Sequence, residues 1–362
     1  MSKNGPARMF IHAISTATPE PYLRTSETVE RLGATCINRK SQKLMQRIVP
    51  HTRIEKRHFA AMDYQAELTD PNAMFRPAEG QPHGPGMNAR TAAFEESSDR
   101  LVRRLLAPMD ARFLARIETL ITVSCTHASA PGLERPVFAH SSVPASVDRW
   151  NLGFMGCSAA LAALRLTHRA AGAARSTLIV ACELSSLHFQ YTDEVDQMTA
   201  NLLFADGAAA MVLSPEPSSV CVQAAECASL PESADQMIWW AGDRGLQLRL
   251  SNKLPETIGA ALPTAIESFL DRAGVRRDQI DHWLVHPGGP QILDSVESAL
   301  GLRADALDLS RAVLREYGNM SSATIVFILD RLLKSGATGK VMLLAFGPGL
   351  TIEMTLLNVS SD

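Results

Sequence analysis

Residues 321–357 read SSATIVFILDRLLKSGATGKVMLLAFGPGLTIEMTLL. Ser321 to Lys334 carries its apolar residues at helical spacing, and Gly339 to Leu357 holds two apolar runs joined at Phe346-Gly347-Pro348-Gly349. The unit is helix, strand, tight turn, strand. The same order occurs earlier. Cys157 to Ala174 is an alanine- and leucine-rich helix, STLIVAC (176–182) a strand, and AAAMVLSP (208–215) another strand after the turn Ala205-Asp206-Gly207. Alternating helices and short apolar strands predict an α/β fold with sheets buried between helices.

The remaining text fits that grammar. Arg8 to Ala17 reads as a buried strand, Ser26 caps a helix from about Glu27, Thr91 to Leu106 is helical, and ETLITVSC (118–125) is a strand. In the second half Leu254 to Ala273 and Pro290 to Leu300 read as helices around the strand DHWLVH (281–286). Met62 to Asn88, dense in Pro, Gly, Asp and Asn, reads as a surface loop. At 362 residues the chain predicts two domains or a large two-part fold.

With 35 basic and 38 acidic residues the net charge is −3, and 46% of the chain is hydrophobic. These values exclude disorder, and they lack the basic field of a dedicated nucleic-acid binder. The six cysteines, Cys36, Cys125, Cys157, Cys182, Cys221 and Cys227, form no CxxC pair and no Cys/His ligand spacing. No structural zinc is expected. The N-terminus shows no charged leader with a long apolar run, and no run of 18 apolar residues occurs, so a reduced cytoplasmic setting is expected.

Three residues stand where chemistry is done. Cys157 follows Gly156 at the start of a helix, where N–H groups and the macrodipole favour a thiolate; a packing cysteine among small residues is the alternative. His286 ends a strand just before Pro287-Gly288-Gly289-Pro290, at a carboxyl edge where α/β proteins place sites, although a core histidine has the same pattern. Asn319 lies in EYGNMSSAT, and an asparagine before a helix is also a common cap. Together, a thiolate with a histidine accepts an acyl group, and a histidine with an amide stabilises an enolate oxygen.

The strings VHPGGPQIL (285–293), LREYGNMSSATIVFILD (314–330) and AFGPGLTIE (345–353), after Gly156-Cys157 and FADGAAA (204–210), resemble the signature of type III polyketide synthases. These are the chalcone synthase-like family of the thiolase fold, and the likeness runs from about Arg8 to Leu357. It implies two similar halves in a layered αβαβα arrangement, 1–225 and 226–362, with Cys157 in the first and His286 and Asn319 in the second. The resemblance also implies a homodimeric acyltransferase that loads an acyl-CoA on Cys157 and extends it with malonyl-CoA by decarboxylative condensation. The product is then released by cyclisation to a pyrone or a resorcinol- or phloroglucinol-type ring, with no cofactor beyond coenzyme A thioesters. A single-round condensing enzyme of the ketoacyl synthase III type, working with an acyl carrier protein, is the alternative.

The resemblance assigns further residues. Phe204 matches a gating phenylalanine, and the family's second gating phenylalanine falls on Leu248, which is not aromatic. Gly347 and Gly349 match the loop shaping the active-site floor, with Ala345 replacing its first glycine, and Ser321 matches the serine after the catalytic Asn-Met. His188 replaces a small hydroxyl residue, Cys125 a pocket threonine, and Ala130 a methionine that crosses the dimer interface. Within the basic stretch Arg39 to Arg57, Arg47 with Lys43 nearby matches the coenzyme A-binding cations; a solvated basic helix face is the plain reading of the others.

Overall fold

The computed structural model describes residues 8–20, 22–34, 38–60, 74–75, 84–173 and 175–361. The strands among them are β1 (Met9–Ala17), β2 (Tyr22–Arg24), β3 (Lys56–His58), β4 (Thr119–Val123), β5 (Asp148–Leu152), β6 (Thr177–Leu184) and β7 (Asp206–Ser214). β8 (Val220–Ser229), β9 (Met237–Gly242), β10 (Gly245–Leu250), β11 (His282–Val285), β12 (Gly339–Gly347) and β13 (Thr351–Val359) follow.

Nine of these strands form one mixed sheet in the order β11-β12-β13-β8-β1-β7-β6-β4-β5, while β9 pairs with β10 and β2 with β3. The order holds a repeat. From the middle outward, β1 lies antiparallel to β7, β7 antiparallel to β6, and β6 parallel to β4. On the other side β8 lies antiparallel to β13, β13 antiparallel to β12, and β12 parallel to β11. The two series meet where Met9–Ile11 of β1 pairs with Val220–Val222 of β8. The division expected after residue 225 falls inside β8.

Side-chain alternation along the strands produces the layers. Ile179 and Ala181 of β6 and Leu343 and Ala345 of β12 face a central core that contains the helices Ala159–Arg169 and Thr324–Lys334. Leu178, Val180, Cys182 and Leu184 of β6 face outward against the helix Met87–Leu106. Met342, Leu344 and Phe346 of β12 face outward against Leu254–Ala273 and Pro290–Leu300. Helix, sheet, paired central helices, sheet, helix is the αβαβα arrangement. Because the central helices are covered on both sides, Thr324 to Asp330 is buried without interruption, and its middle, Ile325 to Leu329, is continuously apolar.

Several boundaries move. The helix expected over Cys157 to Ala174 is a 3₁₀ turn, Gly156–Ser158, followed by Ala159–Arg169. Similarly, Ser321–Ala323 is a 3₁₀ turn ahead of Thr324–Lys334. Asp206 and Gly207 open β7 rather than forming a turn, because the Asp206 carboxylate accepts the backbone N–H groups of Ala60 and Ser186. Residues 62–73 and 76–83 of the expected loop, and Cys36, lie outside the described residues, and Met87 and Asn88 at its end already belong to a helix. The five described cysteines are all free thiols.

Candidate active site

The sequence Phe-Met-Gly-Cys-Ser folds into its tight turn because Gly156 adopts φ 60°, and a Cβ there would stand 2.4 Å from Pro348 Cδ. The FGPG connection therefore presses directly on the loop that carries Cys157. Ser158 Oγ donates to Met155 O at 3.0 Å, and Gly156 N–H donates to Cys125 Sγ at 3.0 Å, fixing the turn from both sides. Cys157 thus stands at the N-terminus of a buried helix. Desolvation pushes the thiol up to about 12, while hydrogen bonding with Ser321 and Asn319 acts in the opposite direction.

Asn319 belongs to the second half but is held largely by the first. Gly318 takes φ 73°, where a Cβ would meet Arg57 Cγ at 2.9 Å, and Asn319 N–H and C=O bond to Leu203 O and Ala205 N at 2.9 and 2.8 Å. Its Oδ1 accepts the Ser321 N–H at 2.8 Å and lies 3.9 Å from Cys157 Sγ, while Nδ2 donates to Gly288 O at 3.4 Å. An amide nitrogen has two protons, so one remains for a ligand.

His286 continues the β11 ladder, its N–H donating to Leu344 O at 2.8 Å. Among the described residues neither buried ring nitrogen has a hydrogen-bond partner, and burial holds the imidazole down to about 3. A buried imidazole with no protein partner is a rare expense. At neutral pH it is uncharged, with one N–H donor and one acceptor.

Cys157, His286 and Asn319 line one cavity of about 420 Å³. Phe204, Leu248, Ser321 and Cys125 line it too. Gly347 and Gly349 do not; Phe346 and Pro348 face the cavity, and Gly347 allows the strand to approach, since a Cβ there would stand 2.8 Å from Met155 O. His188 also fails to reach it. Its Nε2 bonds to Thr126 O at 2.9 Å and its Nδ1 accepts the Leu246 N–H at 3.1 Å, so both ring nitrogens serve the backbone. Lys43 and Arg47 do not line the cavity; they are exposed on the helix Arg39–Ile48, whose C-terminal Ile48 does. Ala130, at a cis bond to Pro131, is exposed and away from the cavity.

Sequence reasoning missed three residues. Ser185 lines the cavity with a buried hydroxyl that has no partner among the described residues. Trp239 lines it with its indole N–H donating to Cys125 O at 2.9 Å. Behind the cavity the wholly buried Glu183 accepts from Cys125 N at 2.9 Å, Thr126 Oγ1 at 3.1 Å and Ser322 Oγ, tying the first-half loop to the second-half turn; burial raises its carboxyl to about 7. A lone acid ending the apolar run STLIVAC was the visible signal for Glu183.

A layered αβαβα fold with a thiol, an imidazole and an amide meeting in one apolar cavity defines a condensing enzyme of the thiolase type. Residues 39–226 match the family described as FAE1/Type III polyketide synthase-like protein, and residues 221–360 match chalcone and stilbene synthases, C-terminal domain. The chain belongs to the type III polyketide synthases, which are acyltransferase-type condensing enzymes. It is 27% identical over 96% of its length to the alpha-pyrone synthesis polyketide synthase-like Pks18 of Mycobacterium tuberculosis, covering 91% of that protein. It is 29% identical over 94% of its length to 1,3,6,8-tetrahydroxynaphthalene synthase of Streptomyces coelicolor, covering 90% of it. Among solved structures, PKS-I of the brown alga Ectocarpus siliculosus superposes with a TM-score of 0.89 at 27% identity, covering 99% of this chain and all of that one.

Proposed function

We propose that this synthase loads an acyl-CoA starter on Cys157, extends it with malonyl-CoA and releases it by cyclisation, with His286 serving both half-reactions and Asn319 the extension. The observation that carries the reading is the convergence of Cys157, Asn319 and an unpartnered His286 ring on one cavity. Burial disfavours the thiolate and the imidazolium taken singly. A proton passed from Cys157 to His286 creates both charges together, each stabilising the other in a site poor in water. Sulfur attacks the starter thioester, coenzyme A leaves as its thiol with the proton from His286, and Cys157 holds the acyl group.

Malonyl-CoA then loses carbon dioxide, and the electron pair released passes to its thioester, whose oxygen takes hydrogen bonds from the neutral His286 N–H and the free Asn319 N–H. The enolate carbon attacks the Cys157 thioester, and the sulfur departs with its electrons. No redox cofactor is needed, because the loss of carbon dioxide supplies the driving force.

The starter proposed is a long or bulky acyl group, since Leu248, Leu250, Leu254, Ile258 and Ile292 give the cavity aliphatic walls. A pyrone is the favoured product class, by likeness to the Mycobacterium relative named for alpha-pyrone synthesis. Coenzyme A phosphates are assigned to the exposed Arg47 and Lys43, on the helix whose last residue lines the cavity. A homodimer is proposed through β5, whose only described partner is β4 and which exposes Trp150. Family membership does not favour the carrier-dependent, single-round alternative. Mass spectrometry of products from a panel of acyl-CoA starters with malonyl-CoA tests the reading. Extended, cyclised products from long starters support it; no product until a carrier protein is added overturns it.

A further inference from the structure

The residue aligned with the family's second gating aromatic is Leu248, an aliphatic side chain. Leu248 on β10 is the direct cross-strand partner of Trp239 on β9. Directly paired residues of an antiparallel ribbon point to the same face, and both line the cavity. The Trp239 ring stands 6.5 Å, centroid to centroid, from Phe204 at an interplanar angle of 45°, within the range of an interacting aromatic pair. We propose that Trp239, displaced by one strand, supplies the second aromatic of the gate, and that the Phe204–Trp239 pair controls passage between the opening and the reacting groups.

The anchoring of the two rings supports this role. Phe204 forms a backbone bridge with Asn319, whose amide faces the Cys157 sulfur. Trp239 donates its indole N–H to Cys125 O, and the Cys125 sulfur accepts the N–H of Gly156, the residue before the nucleophile. Each ring is therefore tied by one or two bonds to a loop carrying a catalytic side chain, and the pair holds its separation relative to the chemistry. Trp239 is a positioning and specificity residue: its indole nitrogen is already used, so it offers the substrate an apolar face and no proton.

The inference rests on the condensing-enzyme reading, so wild-type turnover of acyl-CoA and malonyl-CoA is measured first; its absence overturns that reading and the gate with it, whereas the variants below overturn the gate alone. Given turnover, Trp239→Ala is expected to lower kcat/KM for malonyl-CoA by about ten- to a hundredfold. It should also raise the fraction of malonyl-CoA decarboxylated without condensation, and shift the product lengths. Trp239→Phe, which keeps a ring but loses the indole bond, should stay within about threefold of wild type. The decisive variant restores the aromatic on the neighbouring strand. Leu248→Phe in the Trp239→Ala background should recover coupling and product lengths, whereas the same recovery is not expected from Leu250→Phe. Thermal unfolding of each variant separates a folding loss from a gating loss. The proposal is overturned if folded Trp239→Ala keeps wild-type coupling and products, or if Leu248→Phe restores nothing while Trp239→Phe does no better than Trp239→Ala.

Discussion

The turns Gly156–Ser158 and Ser321–Ala323 hold the same place in the two halves, each a 3₁₀ turn opening one of the paired central helices, Ala159–Arg169 and Thr324–Lys334. Each requires left-handed backbone nearby, at Phe154 and Gly156 in the first and at Gly318 and Ser321 in the second. They differ in what they present. The first puts a thiol inside the turn; the second puts an amide two residues ahead of it, with Oδ1 held by the Ser321 N–H. A buried helix start holds a side chain rigidly and offers N–H groups to negative charge. Duplicating that device lets one copy carry the thiol proposed as nucleophile and the other the amide proposed as hydrogen-bond donor, both lining one cavity.

The comparison is most sharply tested by removing each side chain in turn. Cys157→Ala should abolish product formation, a loss of about 10³-fold or more, while slow decarboxylation of malonyl-CoA continues, since His286 and Asn319 remain; assays of product and of carbon dioxide read the two. Asn319→Ala should leave acylation of Cys157 intact yet slow condensation by about 10²–10³-fold, seen by trapping the acylated protein. If Asn319→Ala blocked acylation as completely as Cys157→Ala, the division of labour would fail.

The backbone devices come next. Gly156→Ala and Gly318→Ala force a Cβ into left-handed positions that already touch Pro348 and the Arg57 stem, costing about 1–3 kcal/mol each. Both should lower the denaturation midpoint. The smallest effect concerns pH. His188 and His286 are held at about 3, below the unfolded value of 6.5, so the stability they contribute is complete above pH 6.5 and is lost as pH falls toward 3. His188→Gln should weaken the decline between pH 7 and pH 5 by about 2 kcal/mol. Glu183, raised to about 7, has the opposite sign: its contribution is present below pH 4.5 and is lost as pH rises through 7. Glu183→Gln should flatten that limb in thermal unfolding across pH 4.5 to 8.

The sequence was legible where punctuation was strong. Leu254–Ala273 and Pro290–Leu300 match their expected limits because a proline opens each helix and a left-handed glycine, Gly274 or Gly301, closes it. The strands β5, β9 and β10 were not separated from loops, because β5 is exposed and the β9–β10 ribbon is only half covered, so neither shows a clean apolar run. The positions of Cys157, His286 and Asn319 were legible from glycines and strand ends. Trp239 was not, since Ile238-Trp239-Trp240 shows which tryptophan faces the cavity only once it is paired with Leu248. His188 misled for a related reason: nothing in SLHFQ reveals that two backbone groups take both ring nitrogens.

The most direct test of the central claim is peptide mass spectrometry of the protein after brief exposure to a long-chain acyl-CoA without malonyl-CoA. The account predicts a single acyl adduct on the peptide bearing Cys157, absent from Cys157→Ala. An adduct on Cys125 that persists in Cys157→Ala, or turnover with no acylated cysteine, would contradict it.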